Sequence, residues 1–508
     1  MVMLLWLAVV LFALVQGETL PNARPQPADR TFVSPAIDKL ISELAPLLKT
    51  ENLATMFSNC FPNTLDTTIF AYTDSGPDSF VITGDIPAMW LRDSQNLLMP
   101  YLPYVKQDAK LERLILGTIN RQAHSILIDP YANAFNYNSS TASGQDHQSD
   151  SRKPKMQPSV FEGKYELDSI MSFLKLSYWY FREVGPEAFA KAVDTSASGN
   201  WARAVGSAVS VVAQMQAVSG QESTAEMPYL FERSTNQATD TLVMSGRGPP
   251  TNPTTGLSRQ LFRPSDDSAA LAFNIPGNAM ACVELSHTLE LIDALAGEAQ
   301  HLGDLRGQVA AVRGSLCTAL NKVLAQYKAA DSPIPFEVDG YGSAVFMDDA
   351  NVPSLLSLPV LGYMSTKDAT YKATRSFVWS SRNPYFYSGP AGSGIGGPHE
   401  GPSMAWPMSL AVLAMTSDDE QEISACLDAL LSTTAGTGLM HEAFDVHDSQ
   451  HYTRPWFAWA NGVFAELVLQ LVHTHPLLVL RDADAVAQAQ ALVRVPVSLQ
   501  AQLDKPIA

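Results

Sequence analysis

Apolar residues recur at helical spacing in about twelve separate stretches of this chain, and that recurrence limits its fold more than any other feature. The stretches fall near 34–48, 94–106, 108–128, 166–184, 200–218, 276–297, 301–326, 351–360, 367–375, 403–416, 419–434 and 456–473. The first opens on Ser34-Pro35, an N-cap followed by a first-turn proline, with Ile37, Leu40, Ile41, Leu44 and Leu48 on one face. Strand signals are few: 68–72 and 79–83 can pair as a hairpin across Asp74-Ser75-Gly76-Pro77. No repeat of solenoid length recurs, so the helices are not a stacked array.

The links between the helices are the unusual part. Segments 129–165, 219–275 and 376–402 are long, polar and rich in Gly and Pro, and loops of that length inside a compact domain usually carry function. Many helices joined by long, aromatic-bearing loops predict an all-α toroid of helix pairs whose loops build a pocket at one end. Residues 34–508 are read as one such domain, preceded by a Pro-rich linker over 18–33 that orders on contact.

A net charge of -18 and a pI near 4.9, with no basic run, exclude nucleic acid as a partner. The apolar run 4–15, followed by Gly17, is too short for a comfortable membrane span; 1–17 reads as a signal peptide, with an uncleaved anchor as the alternative. The mature chain is then expected as a monomer in the secretory lumen or outside the cell, with no stable membrane insertion. Cys60, Cys282, Cys317 and Cys426 have no zinc spacing and could form one or two disulfides or remain buried thiols. Asn138-Ser139-Ser140 is a glycosylation acceptor triplet.

Four loops carry the residue mixture of a sugar site. Carboxylates and Arg grip vicinal hydroxyls through paired hydrogen bonds, and aromatic faces stack on the apolar face of a sugar ring. In the segment 83–94, Asp85, Arg92 and Asp93 surround Trp90 at a helix start; an N-cap with an internal Arg–Asp pair is the purely structural alternative. In 262–268, Asp266 and Asp267 stand beside Arg263. Adjacent like charge raises a carboxyl pKa, as a proton donor requires, while a solvated turn is the alternative. The third loop runs from Trp379 and Arg382 through a glycine-rich stretch to His399, without the strand-turn-helix context of a dinucleotide site. The fourth joins His441-Glu442 to Arg454-Pro455-Trp456, and no second histidine stands at metalloprotease spacing.

Taken together, TGDIPAMWLRDSQ, KYELDS, FRPSDD, WSSRNPYFYSG, GIGGPHEGPSMAWPMSL, GLMHEAF and TRPWFAWANGVFAEL resemble glycoside hydrolase family 125, in order, from about residue 35 to 473. The resemblance implies an (α/α)6 barrel and an exo-acting α-mannosidase that favours α-1,6 links in a mannose-containing oligosaccharide or N-glycan. It further implies inversion at the anomeric carbon and no metal or other cofactor. The general acid would be Asp266 or Asp267. Asp267 is preferred, with Asp266 gripping sugar or tuning the proton, and Glu442 would be the general base. Asp85, Arg92 and Asp93 would hold the terminal mannose, with Trp90, Arg263, Trp379, Arg382, His399, His441, Arg454 and Trp456 as further candidate contacts.

An inverting mechanism needs the two carboxyls roughly 6.5–9.5 Å apart, so that water fits between base and sugar. The rivals are another inverting α-glycosidase of glucoamylase type and a catalytically silent glycan-binding protein. A terpene-cyclase-like helical protein fits poorly, because no Asp-rich magnesium motif lies on a helix.

Overall fold

In the computed structural model, the residues described are 19–507 except 74, 139–146, 197, 296–301, 328–331 and 505. The expected signal peptide 1–17 lies outside them, as do Ser139 and Ser140 of the acceptor triplet. Among the described residues, no helix is long and apolar enough to cross a membrane.

Among the described residues, the α-helices of eight residues or more are α1 (Pro35–Leu44), α2 (Glu51–Cys60), α3 (Leu91–Leu98, continued by a 3-10 helix over Met99–Gln107), α4 (Ala109–Ile128), α5 (Leu167–Val184), α6 (Asn200–Ala217) and α7 (Ile275–Leu295). They continue with α8 (Gly303–Ala325), α9 (Ala369–Val378), α10 (Pro407–Met415), α11 (Glu420–Ser432), α12 (Ala458–Thr474) and α13 (Ala483–Leu492). They sort into two layers by their burial. α3, α5, α7, α10 and α12 are buried on nearly every side over most of their length. A helix apolar all round must be enclosed by others. α2, α4, α6, α8, α9 and α11 bury one stripe only and pack outside them. α3 contacts α5, α5 contacts α7, α10 contacts α12, and α12 returns to α3, which nearly closes the inner ring. This is the (α/α)6 barrel.

A helix was expected over 351–360, within the buried segment 348–364. Turns stand there instead. Pro353 and Pro359 remove two backbone donors, and the buried Asp348 carboxylate takes the N–H groups of Leu355 and Leu356 at 2.8 and 2.9 Å. α2 and α13 were not anticipated. The hairpin was: β1 (Ile69–Thr73) pairs antiparallel with β2 (Asp78–Val81).

Small sheets absorb the long loops. β3 (Met89–Trp90), β4 (Ala134–Phe135) and β6 (Val160–Glu162) form one three-stranded sheet, and β5 (Ser151–Lys153) pairs with β7 (Leu230–Glu232), tying the first long loop to the second. Met404–Ala405, Ala443–Asp445 and Tyr452–Thr453 form another. Pairings of two or three residues have no alternation long enough to read in sequence.

The Pro-rich N-terminal segment lies on the body: Ala23 N–H donates to Asn59 Oδ1 at 3.0 Å, and Arg24 pairs with Asp66 at 2.7 Å. Cys282 and Cys317 form a disulfide between α7 and α8, whereas Cys60 and Cys426 are buried thiols.

Candidate active site

α3 begins immediately after β3, so Arg92 and Asp93 fall in the first turn of an inner helix at the loop end of the barrel. Four carboxylates surround the Arg92 guanidinium. Its Nη1 lies 2.5 Å from Glu166 and 3.5 Å from Asp168, and its Nη2 lies 3.4 Å from Asp266 and 3.5 Å from Asp93. Glu166 directly precedes α5 and Asp168 stands in its first turn. The Asn133 side-chain amide bridges the group, donating to Glu162 at 2.9 Å and to Glu166 at 3.1 Å.

Four carboxylates around one guanidinium, with Lys164 beyond Asp266, set the proton affinities of the group. Burial, with Asp266 and Asp168 adding to it, holds the Glu166 carboxyl well above its usual range in spite of Arg92. Burial also pushes Asp168 up to about 6. Asp266 goes the other way: burial would raise it, but Arg92, Lys164 and the hydrogen bond with Glu166 hold it well below the usual range.

The Asp-Asp turn is built around one left-handed residue. Asp266 N–H donates to Arg263 O at 2.9 Å, Arg263 N–H donates to Asp267 O at 2.7 Å, and Asp266 takes φ +68°. Asp tolerates this region better than most residues. The two adjacent carboxylates part company here. Asp266 lines the central cavity. Asp267 is 1% exposed and turned inward, 3.5 Å from Ser265 Oγ and 3.8 Å from His399 Nδ1. Of the two candidate donors, Asp266 lines the cavity and Asp267, the one preferred from the sequence, does not. Ser265 in turn donates to Asp349 at 2.7 Å.

Glu442 faces the same cavity from the opposite part of the chain. It immediately precedes the strand Ala443–Asp445, and its loop is anchored by Met440 N–H, which donates to Asn461 Oδ1 on α12 at 2.9 Å. Arg454 Nε lies 2.9 Å from Glu442, and Arg454 Nη1 lies 2.5 Å from Asp85. Burial pushes the Glu442 carboxyl up to about 7, with Arg454 opposing and Glu400 adding to the rise. His399 sits between the two acidic loops. Burial would lower it, but Asp267, Asp266 and Glu442 together push it up to about 9.

Of the residues singled out in sequence, Trp90, Arg92, Asp93, Asp266, His399, Glu442 and Arg454 line the cavity together. Asp85 is half exposed and joins through Arg454. The others do not reach the lining. Arg263 is buried against Glu337, Nε to Oε1 2.7 Å, because Glu337 also takes the Ala270 and Leu271 N–H groups and organises the loop behind the turn. Trp379 packs edge-on against Phe386, and Arg382 lies over the Phe377 ring. His441 bonds the Arg454 carbonyl at 2.9 Å and stacks on Tyr452, supporting the Glu442 loop from behind. The Trp456 ring covers Gly84, where a Cβ would stand 3.0 Å from it and where φ is +141°.

Sequence reasoning missed Asn351, Trp406, Phe457 and Trp459, which line the cavity, and Asn133, Lys164 and Glu166 behind it. Trp406, Trp459, Lys164 and Glu166 fall within motifs already noticed. Asn133 and Asn351 carry no local signal.

The family described as metal-independent alpha-mannosidase (GH125) matches residues 50–469. The Meiotically up-regulated gene 157 protein of Schizosaccharomyces pombe is 45% identical over 480 residues, covering 91% of each chain. A metal-independent alpha mannosidase from Streptococcus pneumoniae, solved in a non-productive complex with alpha-1,6-mannobiose, is 36% identical. It superimposes with a TM-score of 0.75, over 86% of this chain and 98% of that one.

Proposed function

The chain belongs to glycoside hydrolase family GH125, the metal-independent α-mannosidases, and from that premise we propose that it removes terminal α-1,6-linked mannose from glycans with inversion, Asp266 donating the proton and Glu442 activating water. The observation that carries this reading is that two carboxylates from distant loops, Asp266 and Glu442, line a single cavity together with Arg92, His399 and Trp459. The α-1,6 preference is supported by the mannobiose held by the Streptococcus pneumoniae relative. In one step, the Asp266 carboxyl protonates the glycosidic oxygen as its bond to the anomeric carbon lengthens. Glu442 takes a proton from water attacking the opposite face. Asp266 is the carboxyl that lines the cavity, with Glu166 behind it on Arg92. Arg454 orients Glu442, while Arg92 and Asp93 hold the terminal sugar. No step calls for a metal.

Incubation with α-1,2-, α-1,3- and α-1,6-mannobiose tests the substrate. The α-1,6 isomer should be cleaved fastest; equal rates on all three would remove the linkage claim, and binding without release of mannose would favour a glycan-binding protein.

One observation favours a second reading with the roles exchanged. Burial pushes the Glu442 carboxyl up to about 7, while Arg92 and Lys164 hold Asp266 well below the usual carboxylate range in spite of its burial, the order expected if Glu442 were the donor. Leaving groups separate the two. Loss of the donor is largely repaired by a dinitrophenyl mannoside, whose departure needs no proton, and loss of the base is not. Asp266→Asn should therefore keep far more activity on the aryl substrate than Glu442→Gln.

The mature protein is read as a monomer working in the secretory lumen or outside the cell. The apolar 4–15 run, the acceptor triplet at Asn138 and the Cys282–Cys317 bridge support the compartment, since disulfides persist in oxidising surroundings. Glycosidase-sensitive mass on the Asn138 peptide of the native protein checks it.

A further inference from the structure

The two longest loops meet in a buried set of charges that the proposed reaction does not use. Arg233, from the second loop, lies 2.7 Å from Asp150 and 3.0 Å from Glu162 of the first, and 2.9 Å from Asp240 of its own. Lys164 completes the set, 2.6 Å from Asp240 and 3.5 Å from Glu162. The Lys164 and Arg233 side chains are at most 8% exposed. A chain does not bury an ammonium without partners, and this one has an ion pair on each loop.

What these charges hold is the donor turn. Lys164 Nζ donates to the main-chain carbonyl of Asp266 at 2.9 Å. That carbonyl belongs to the left-handed residue, whose conformation an L side chain adopts only when its surroundings impose it. On the far side of the turn, Ser268 N–H donates to the Thr239 carbonyl at 2.7 Å, next to Asp240. Both flanks of the turn are thus tied to the junction of the two loops, and β5–β7 pairing tightens the same junction. Lys164 is not itself among the residues that line the cavity.

We propose that Lys164, locked by Asp240 and Glu162, is a positioning residue that fixes the backbone of Asp266 so that its carboxyl meets the glycosidic oxygen. The inference rests on the reading of Asp266 as proton donor. Long loops that look dispensable for a minimal barrel are, on this account, the frame of the catalytic turn. A displacement of about 1 Å at a reacting group costs on the order of 100-fold in rate.

The test compares Lys164→Gln, Asp240→Asn and Asp266→Asn on α-1,6-mannobiose and on dinitrophenyl α-mannoside, with kcat and KM separated. Lys164→Gln should lose on the order of 100-fold in kcat on the disaccharide, with KM within about threefold, and under about fivefold on the aryl substrate. Asp240→Asn leaves Lys164 in place and relieves only one anchor, so it should fold where the Lys164 variant does not and show the same pattern more weakly. Equal losses on both substrates in these two variants, or no loss on either, would overturn the inference. If Asp266→Asn itself loses equally on both substrates, the donor assignment falls. If Asp266→Asn shows the donor pattern and neither Lys164→Gln nor Asp240→Asn follows it, only the positioning role falls.

Discussion

Replacing Arg263 by Met separates a sugar-gripping arginine from a buried structural one. Arg263 Nε lies 2.7 Å from Glu337 Oε1, with both side chains at most 4% exposed. Removing one partner of a buried ion pair costs about 3–5 kcal/mol, because the remaining charge stays buried without compensation. Glu337 keeps the Ala270 and Leu271 N–H groups at 3.0 Å, which moves the expectation to the lower end, about 3 kcal/mol. For 508 residues, an unfolding entropy of about 2.1 cal/mol/K each sums to roughly 1 kcal/mol/K, so the midpoint should fall by about 3 °C. Thermal unfolding followed by fluorescence measures that shift, and initial rates on α-1,6-mannobiose below the transition give KM. The account predicts the lower midpoint with KM within about threefold. Loss of a charged hydrogen bond to sugar would instead cost about 1.5–3 kcal/mol of binding, a rise of roughly 10- to 150-fold in KM. A large rise in KM with an unchanged midpoint would refute the structural placement of Arg263.

Because a base must be ionised, kcat/KM should climb as pH rises through the Glu442 value near 7. Glu400→Gln removes a like charge that raises Glu442, so it should move that limb to lower pH; activity that falls through pH 7 would instead support the exchanged roles. Replacing Cys282 and Cys317 by Ser opens a loop with a sequence separation of 35. The chain-entropy estimate for that closure is about 4 kcal/mol, so stability should drop by an amount of that order while kcat at 25 °C is retained. A loss of kcat in the folded double variant would mean that the bridge shapes the cavity.

Much of the barrel was legible because its helices carry their instructions locally. α1 shows Ser34 as N-cap, its hydroxyl accepting from Ile37 N–H, and a clean Ile37, Leu40, Ile41, Leu44 stripe that is buried as written. The enclosed helices α5, α10 and α12 were visible as helical patterns over 166–184, 403–416 and 456–473. The site was legible where function and helix start coincide, as at Arg92 and Asp93. It failed where a partner distant in sequence decides the outcome. Nothing near Arg263 announces Glu337, 74 residues away, and that contact turns the guanidinium inward. Two adjacent aspartates read alike until a left-handed Asp266 sends one to the cavity and the other to His399. Over 351–360 the apolar content suggested a helix, but Asp348 and the prolines satisfied the backbone in turns.

The most direct measurement follows the anomer released by the wild-type enzyme. Proton NMR within the first minutes of hydrolysis of the methyl glycoside of α-1,6-mannobiose, whose other product is methyl mannoside, should show β-mannose appearing first, before mutarotation mixes the two forms. Initial release of α-mannose would mean retention, and the single-step exchange across Asp266 and Glu442 would be wrong.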